Sequence, residues 1–224
     1  MEFVDTFTQL REVAQIVRKC PTATLKRAFI NAARDFAGQS HWLRMHVSMS
    51  TTDIQSGLDG DYEINLDGNE AQYLEVVGIR DDIIGIDTSG SQEQEFRIRP
   101  GDESKWRMLQ DPSQPRYYAY KPEGMFNLTP PPDITYLLRI TAVVQPQDGA
   151  ERMPSDLFKR WSTPIQAGAL EYLLMLPGQP WTDKSEAVVQ GKVFRAGINN
   201  AKADAQRRFN TGSQRMAPRR FVRI

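Results

Sequence analysis

The sequence predicts an α+β chain: a helical bundle built from both ends, an inserted antiparallel β-sandwich or partial barrel between them, and an extended C-terminal arm. Two observations carry this. Apolar residues recur with a helical period up to about residue 41 and again after Pro146, but with a period of two in between. The 14 prolines and 15 glycines among 224 residues demand more turns than a long helical bundle would hold. The predicted divisions are an N-terminal helical part over 1–41, an inserted β domain over 42–148, C-terminal helices over 149–209 and a basic arm over 210–224. Neither terminal helix pair buries much surface alone, so the two should complete one helical domain.

Phe7, Leu10, Val13, Ala14 and Val17 are spaced as one face of a first helix, which Pro21 stops. Thr22 or Thr24 is placed to cap the second, whose apolar face is Leu25, Ala28, Phe29, Ala32, Ala33 and Phe36 and whose end is expected at Gly38. That alanine-rich face permits close approach of a neighbouring helix. From Trp42 the period shortens: Met45, Val47 and Met49 alternate with His46 and Ser48, and Tyr62, Ile64 and Leu66 alternate with Glu63 and Asn65. Further strands are predicted at 73–79, 83–87, 95–99, 116–121, 125–128 and 136–144. The Thr129-Pro130-Pro131-Pro132-Asp133 stretch lacks ladder donors and reads as a rigid connection before the last of them. Met153-Pro154-Ser155-Asp156 opens a helix that turns Leu157, Trp161, Ile165, Ala169, Leu170 and Leu173 inward. Leu176 to Trp181 forms the closing turn, and Asp183 with Glu186 makes a capping box for a long last helix. Its buried stripe is Ala187, Gly191, Phe194, Ile198, Ala201 and Ala205. Trp161, Trp181 and Leu173 fall at core positions, and the pattern is lost from about Asn210.

The net charge of zero hides an asymmetry. Residues 53–111 hold 15 acids and five bases, a net −10, whereas residues 184–224 hold ten bases and two acids, a net +8. From Arg207 onward there are six arginines and no acid, alternating with Phe209, Phe221, Val222 and Ile224. Such a separation points to a partner for the charged end. No run approaches the ~20 apolar residues of a membrane span, and Met1-Glu2-Phe3-Val4-Asp5 lacks a basic n-region followed by an apolar stretch, so neither membrane nor secretory signal is expected. Cys20 is the only cysteine, which excludes an internal disulfide and a cysteine-ligated zinc site.

Reactive constellations are scarce. There is no Gly-x-Ser-x-Gly elbow, no Gly-x-x-x-x-Gly-Lys loop and no His-Glu-x-x-His helix. The only histidines, His41 and His46, share neither a helix face nor a strand face and read as surface or packing residues rather than metal ligands. Arg18 and Lys19 beside Cys20 favour a lowered thiol pKa, but without a nearby base the cysteine reads as structural. Asp59, Asp61, Glu63 and Glu70 fit four places of a calcium loop. Ile64 stands where that loop needs glycine, so an acidic hairpin is the expectation. No cofactor and no metal is expected, and the chain is read as a non-enzyme.

Several segments form an ordered set. They are Leu25 to Phe36, Leu128 to Asp133, Pro164-Ile-Gln-Ala-Gly-Ala-Leu-Glu-Tyr-Leu173, Leu176-Pro-Gly-Gln-Pro-Trp-Thr-Asp183 and Phe194-Arg-Ala-Gly-Ile198. Together they resemble the head-to-tail connector, or adaptor, proteins of tailed bacteriophages, especially the tail tubular adaptors of short-tailed phages. The resemblance implies a structural virion protein assembled in the host cytoplasm. It implies a ring, usually of twelve copies, beneath the portal, docked to the tail nozzle or tube, with genomic DNA passing through its channel without sequence-specific contacts. It further implies a helical domain with an inserted β domain and a C-terminal arm toward the portal, although the insertion here is large for such a protein. Arg207, Arg208, Phe209, Arg215, Arg219, Arg220 and Phe221 are accordingly the candidate portal contacts. Opposite charges on two parts of one chain suit head-to-tail contacts between copies. The alternative is a nucleic-acid-binding protein whose basic end contacts phosphates, which would show as a steep loss of affinity with salt. A third, a carboxylate-based hydrolase in the β insertion, would need two convergent carboxylates with opposed pKa shifts.

Overall fold

A computed structural model describes residues 1–52, 61–90, 92–101, 111–121 and 124–209, apart from the side chains of residues 7–9, 69, 208 and 209. Among them the elements run β1 (Phe3–Asp5), α1 (Thr6–Ile16), α2 (Thr22–Ser40), β2 (Arg44–Ser50), β3 (Asp61–Glu63), α3 (Gly68–Tyr73), β4 (Leu74–Ile79) and β5 (Ile83–Asp87). They continue with β6 (Gln94–Pro100), β7 (Tyr117–Lys121), β8 (Met125–Thr129), β9 (Tyr136–Pro146), β10 (Arg152–Pro154), α4 (Ser155–Met175) and α5 (Lys184–Phe209). The chain is α+β, with five helices among the described residues and a curled mixed sheet that forms a half-barrel.

The helical core follows the sequence periodicity closely. Leu25, Ala28, Phe29, Ala32, Ala33 and Phe36 are all buried, as are Leu157, Trp161, Ile165, Ala169, Leu170 and Leu173 on α4 and the whole α5 stripe from Ala187 to Ala205. Aromatic rings knit the helices together. Phe29 stacks on Phe158 at 5.6 Å, Phe36 lies 5.6 Å from Trp161 and 6.4 Å from Phe194, and Trp42 meets Trp161 edge-on at 5.5 Å. Small residues let α4 and α5 approach closely. A Cβ on Gly168 would lie 2.8 Å from Phe194 Cδ2, and one on Gly197 would collide with Pro164. On α1, Leu10, Val13 and Val17 are buried, whereas Ala14 faces solvent.

Several boundaries differ from the sequence reading. No threonine side chain caps α2: Pro21 occupies the cap position, and its carbonyl accepts the Leu25 N–H at 3.0 Å. The helix also passes through Gly38 and ends at His41, which takes the left-handed conformation (φ 53°) and donates its N–H to Ala37 O. Gly38 serves a close approach instead, since a Cβ there would stand 2.6 Å from the Gln145 amide oxygen on β9. In α4, Trp161 leaves helical geometry (φ −120°, ψ 18°) three residues before Pro164, whose ring removes a donor and crowds the preceding turn. Half of the capping box is present. Asp183 Oδ1 accepts the N–H groups of Ser185 (3.0 Å) and Glu186 (3.1 Å), but its own N–H donates to Leu174 O, while Glu186 accepts from Gln190.

These hydrogen bonds hold the Asp183 carboxyl below the usual carboxylate range, the Ser185 hydroxyl contributing most. A depressed acid stabilises the fold above its unfolded value near pH 3.9 and loses that contribution as pH falls through its own lower value. Asp183→Ala is therefore expected to fray the first turn of α5. Hydrogen exchange at the Glu186 amide should accelerate at neutral pH and differ little from wild type once the acid is protonated.

The sheet runs β2-β9-β5-β6-β7-β8-β3, with β4 also on β9. Most pairs are antiparallel as predicted, but β6 and β7 are parallel, with Arg99 opposite Tyr117 and Pro100 opposite Tyr118. Tyr73 closes the short helix α3 and does not begin the strand, and Thr129 belongs to β8 rather than to the connection after it. The inner face buries Tyr62, Leu74, Ile83, Ile98, Tyr118, Phe126, Leu138, Ile140 and Val144 in a second core, to which α2 contributes Ala37. Burial pushes the Tyr62 and Tyr118 hydroxyls up to about 12. Their neutral forms stabilise the fold below the unfolded value near 10, and this is lost as pH rises through the folded values. An alkaline titration followed at 295 nm (the phenolate band) should show them ionising with unfolding, well after the exposed tyrosines.

Two devices join the parts. The β1–β10 ladder pairs Phe3, Val4 and Asp5 with Pro154, Met153 and Arg152, so the chain start is stapled to the entry of α4 across the intervening sheet. Ser155 reinforces it by donating its N–H to Glu2 O (2.9 Å) and its hydroxyl to Glu2 Oε2 (3.0 Å). On the sheet side, Arg34 of α2 reaches Glu75 Oε1 on β4 at 2.7 Å, and Gln145 of β9 donates to the same oxygen.

Candidate docking surfaces

α5 carries the basic end outward. Its buried stripe faces α4, and the ion pairs Arg195–Glu171 (3.1 Å) and Arg160–Asp204 (2.6 Å) pin it along its length. Val189, Val193, Ala196, Asn200, Ala203 and Arg207 recur at alternating steps of four and three on the opposite face. Val188, Val189 and Val193, with Tyr172 and Met175 on α4, are large apolar side chains left exposed. Surface of this kind marks association sites. Arg207 is exposed at the end of the helix, its guanidinium 3.9 Å from Asp204. Arg208 and Phe209 complete α5, but their side chains lie outside the described residues, as do Arg215, Arg219, Arg220 and Phe221 entirely.

A second surface was not visible in the sequence. At the junction of α2, β2, β4 and α5 a recess of about 230 Å³ is lined by His41, Arg44, Arg80 and Lys202, with Gln39 and Gln206 at its margin. Each residue owes its place to a different element. His41 is the left-handed cap of α2, Arg44 opens β2, Arg80 follows β4 with its N–H on Thr141 O (2.8 Å), and Lys202 projects from α5. The His41 imidazole is pulled below its usual value, first by burial and then by Arg80, Arg44 and Lys202. These residues stand up to 161 positions apart, so no local pattern could have announced them.

The residues weighed for chemistry are dispersed. His46 Nδ1 lies 3.4 Å from the Thr141 hydroxyl, and His46 is not among the residues lining the recess. Cys20 is half-buried, and burial raises its thiol pKa, against the lowering that Arg18 and Lys19 led the sequence to suggest. Of the calcium-loop acids, Asp59 lies outside the described residues. Asp61 binds Lys121 Nζ through both oxygens (2.7 Å), Glu63 is exposed, and Glu70 takes the Met1 amino group at 3.0 Å. Among the described residues no three of His, Cys, Asp and Glu gather as a metal site. The acids held low, Glu2, Asp87 and Asp183, owe it to hydrogen bonds with Lys159 and Ser155, with Ser89, and with Ser185 and Glu186 respectively, whereas burial holds Asp35 high. Trp161 and Leu173 are buried and Trp181 packs against the same core, so none belongs to a surface site.

An α+β chain that sets a long helix with an exposed apolar face beside a charged recess has the attributes of a protein that docks on others. The SU10 adaptor protein family model matches residues 5–220, and the chain belongs to this family of phage head-to-tail adaptors, which are structural components of the virion. No curated protein matches it.

Proposed function

We propose that this chain forms a ring of twelve copies that joins the portal to the tail nozzle or tube around the DNA channel, acting in virion assembly and genome ejection. The observation that carries this reading is the family match over residues 5–220, which takes in the helices, the sheet and most of the basic arm. The helical domain (1–41 with 149–209) forms the body of each subunit, and the β domain (42–148) is its insertion. The arm over 210–224 reaches the portal, with Arg207, Arg208, Phe209, Arg215, Arg219, Arg220 and Phe221 as the contacts. The separation of a −10 segment from a +8 end supports contacts between unlike surfaces of neighbouring copies. Genomic DNA passes through the channel without sequence-specific contacts, and the ring is assembled in the host cytoplasm.

Mixing the purified chain with portal rings tests this by electron microscopy. A new layer bound to the portal is the expected result, and a portal left bare contradicts it. Free monomer does not, because adaptors can assemble only on a preformed portal. In a parallel DNA titration, a steep fall of affinity with salt would favour nucleic-acid binding instead.

A further inference from the structure

We propose that the recess lined by His41, Arg44, Arg80 and Lys202 receives an acidic side chain from the β5–β6 turn, residues 87–95, of a second copy. This deepens the ring reading and rests on it. The recess gathers three cations, Arg44, Arg80 and Lys202, from three separate elements. The C-terminal carbonyls of α2 account for one cation, since Arg44 Nε donates to His41 O at 3.0 Å. Arg80 and Lys202 come from other elements, and Asp81 lies 3.5 Å from Arg80 Nε. The imidazole of His41, lowered first by burial, is lowered further by these three cations, as described above. At about 230 Å³ the space is smaller than the roughly 300–1,000 Å³ of small-molecule sites and suits a single side chain. An extended basic groove, which a nucleic-acid backbone would need, is a different shape.

The donor is also on the sheet. Residues 87–95 carry Asp87, Glu93 and Glu95 with no base, and Glu93 and Glu95 are exposed, the latter 3.1 Å from Arg139. Strand register shows that the turn cannot reach its own recess. Asp87 pairs with Tyr136 at the start of β9, whereas Arg44 pairs with Val143 near its end. Seven residues of strand separate the two, roughly 23 Å. One sheet therefore presents an acidic tip at one end and a basic socket at the other. Such a pair suits a head-to-tail contact, the heterologous geometry from which rings close.

The test uses the full chain with the peptide of residues 87–95 and, as separate arms, the same peptide with its acids replaced by amides, inorganic phosphate and a short DNA duplex. The readout is the His41 imidazole resonance in NMR and its titration midpoint. The acidic peptide should shift the resonance and raise the midpoint, with affinity about tenfold weaker in Arg80→Gln/Lys202→Gln, equivalent to ~1.4 kcal/mol. Lys202→Arg should retain binding. No response to the acidic peptide, an equal response to the amide version, a response to phosphate or DNA alone, or unchanged affinity in the double variant would each overturn the proposal. Portal mixing separates the two readings. If wild type and double variant dock equally well, the socket is wrong and the ring stands. If wild type fails to dock, the ring is wrong, and the peptide titration still decides whether the recess takes carboxylates.

Discussion

Removing residues 211–224 is expected to abolish docking on the portal while leaving the folded body intact. The described cores use no residue beyond Ala205, so thermal unfolding should change little. What the deletion removes is Arg215, Arg219, Arg220 and Arg223 together with Phe221 and Ile224. Charge-assisted contacts and buried aromatic anchors are the groups that dominate protein interfaces, and losing several at once exceeds any single-site effect. Pull-down on portal rings with calorimetry of the free chain distinguishes the outcomes. A truncated chain that still completes infectious particles would contradict the arm's assigned role.

The second large effect is on stability. Phe36→Ala should cost about 3–5 kcal/mol, at the upper end for a buried aromatic. Phe36 is fully buried where α2 meets α4 and α5, against Trp161 and Phe194, and close to Gly197. No neighbour can relax into the space, because Gly168 and Gly197 already bring α4 and α5 into contact. At 2–4 °C per kcal/mol for a chain of this size, the melting temperature should drop by roughly 10 °C. Unfolding followed by circular dichroism in denaturant measures it directly. A change below about 1 kcal/mol would mean that the helical layer is packed differently.

Long periodic segments were the legible part of the fold. The faces of α2 and α5 could be read residue by residue, since a stripe of six apolar positions at helical spacing has few other uses. Their ends were less legible, because tertiary contacts decide them. Gly38 looks like a terminator but lies inside the helix beside the Gln145 side chain, and the true cap is a histidine. The strands β1 and β10 are three residues each, too short for a period, yet they join the entry of α1 to the entry of α4. The parallel direction of the β6–β7 pair is encoded by the alternation of neither strand. For the docking surfaces the division is similar. The basic C-terminal run is visible in composition, whereas the recess exists only after four segments meet. The apolar outer face of α5 was present in the sequence at regular steps, hidden behind the stronger stripe on its buried side.

Cryo-electron microscopy of the isolated tail vertex tests the central claim most directly. The account predicts a layer of twelve copies of this chain between portal and tail, with residues 210–224 of each resolved against a neighbouring molecule. A vertex without this chain, or one in which those residues fold back on their own subunit and touch nothing else, would contradict it.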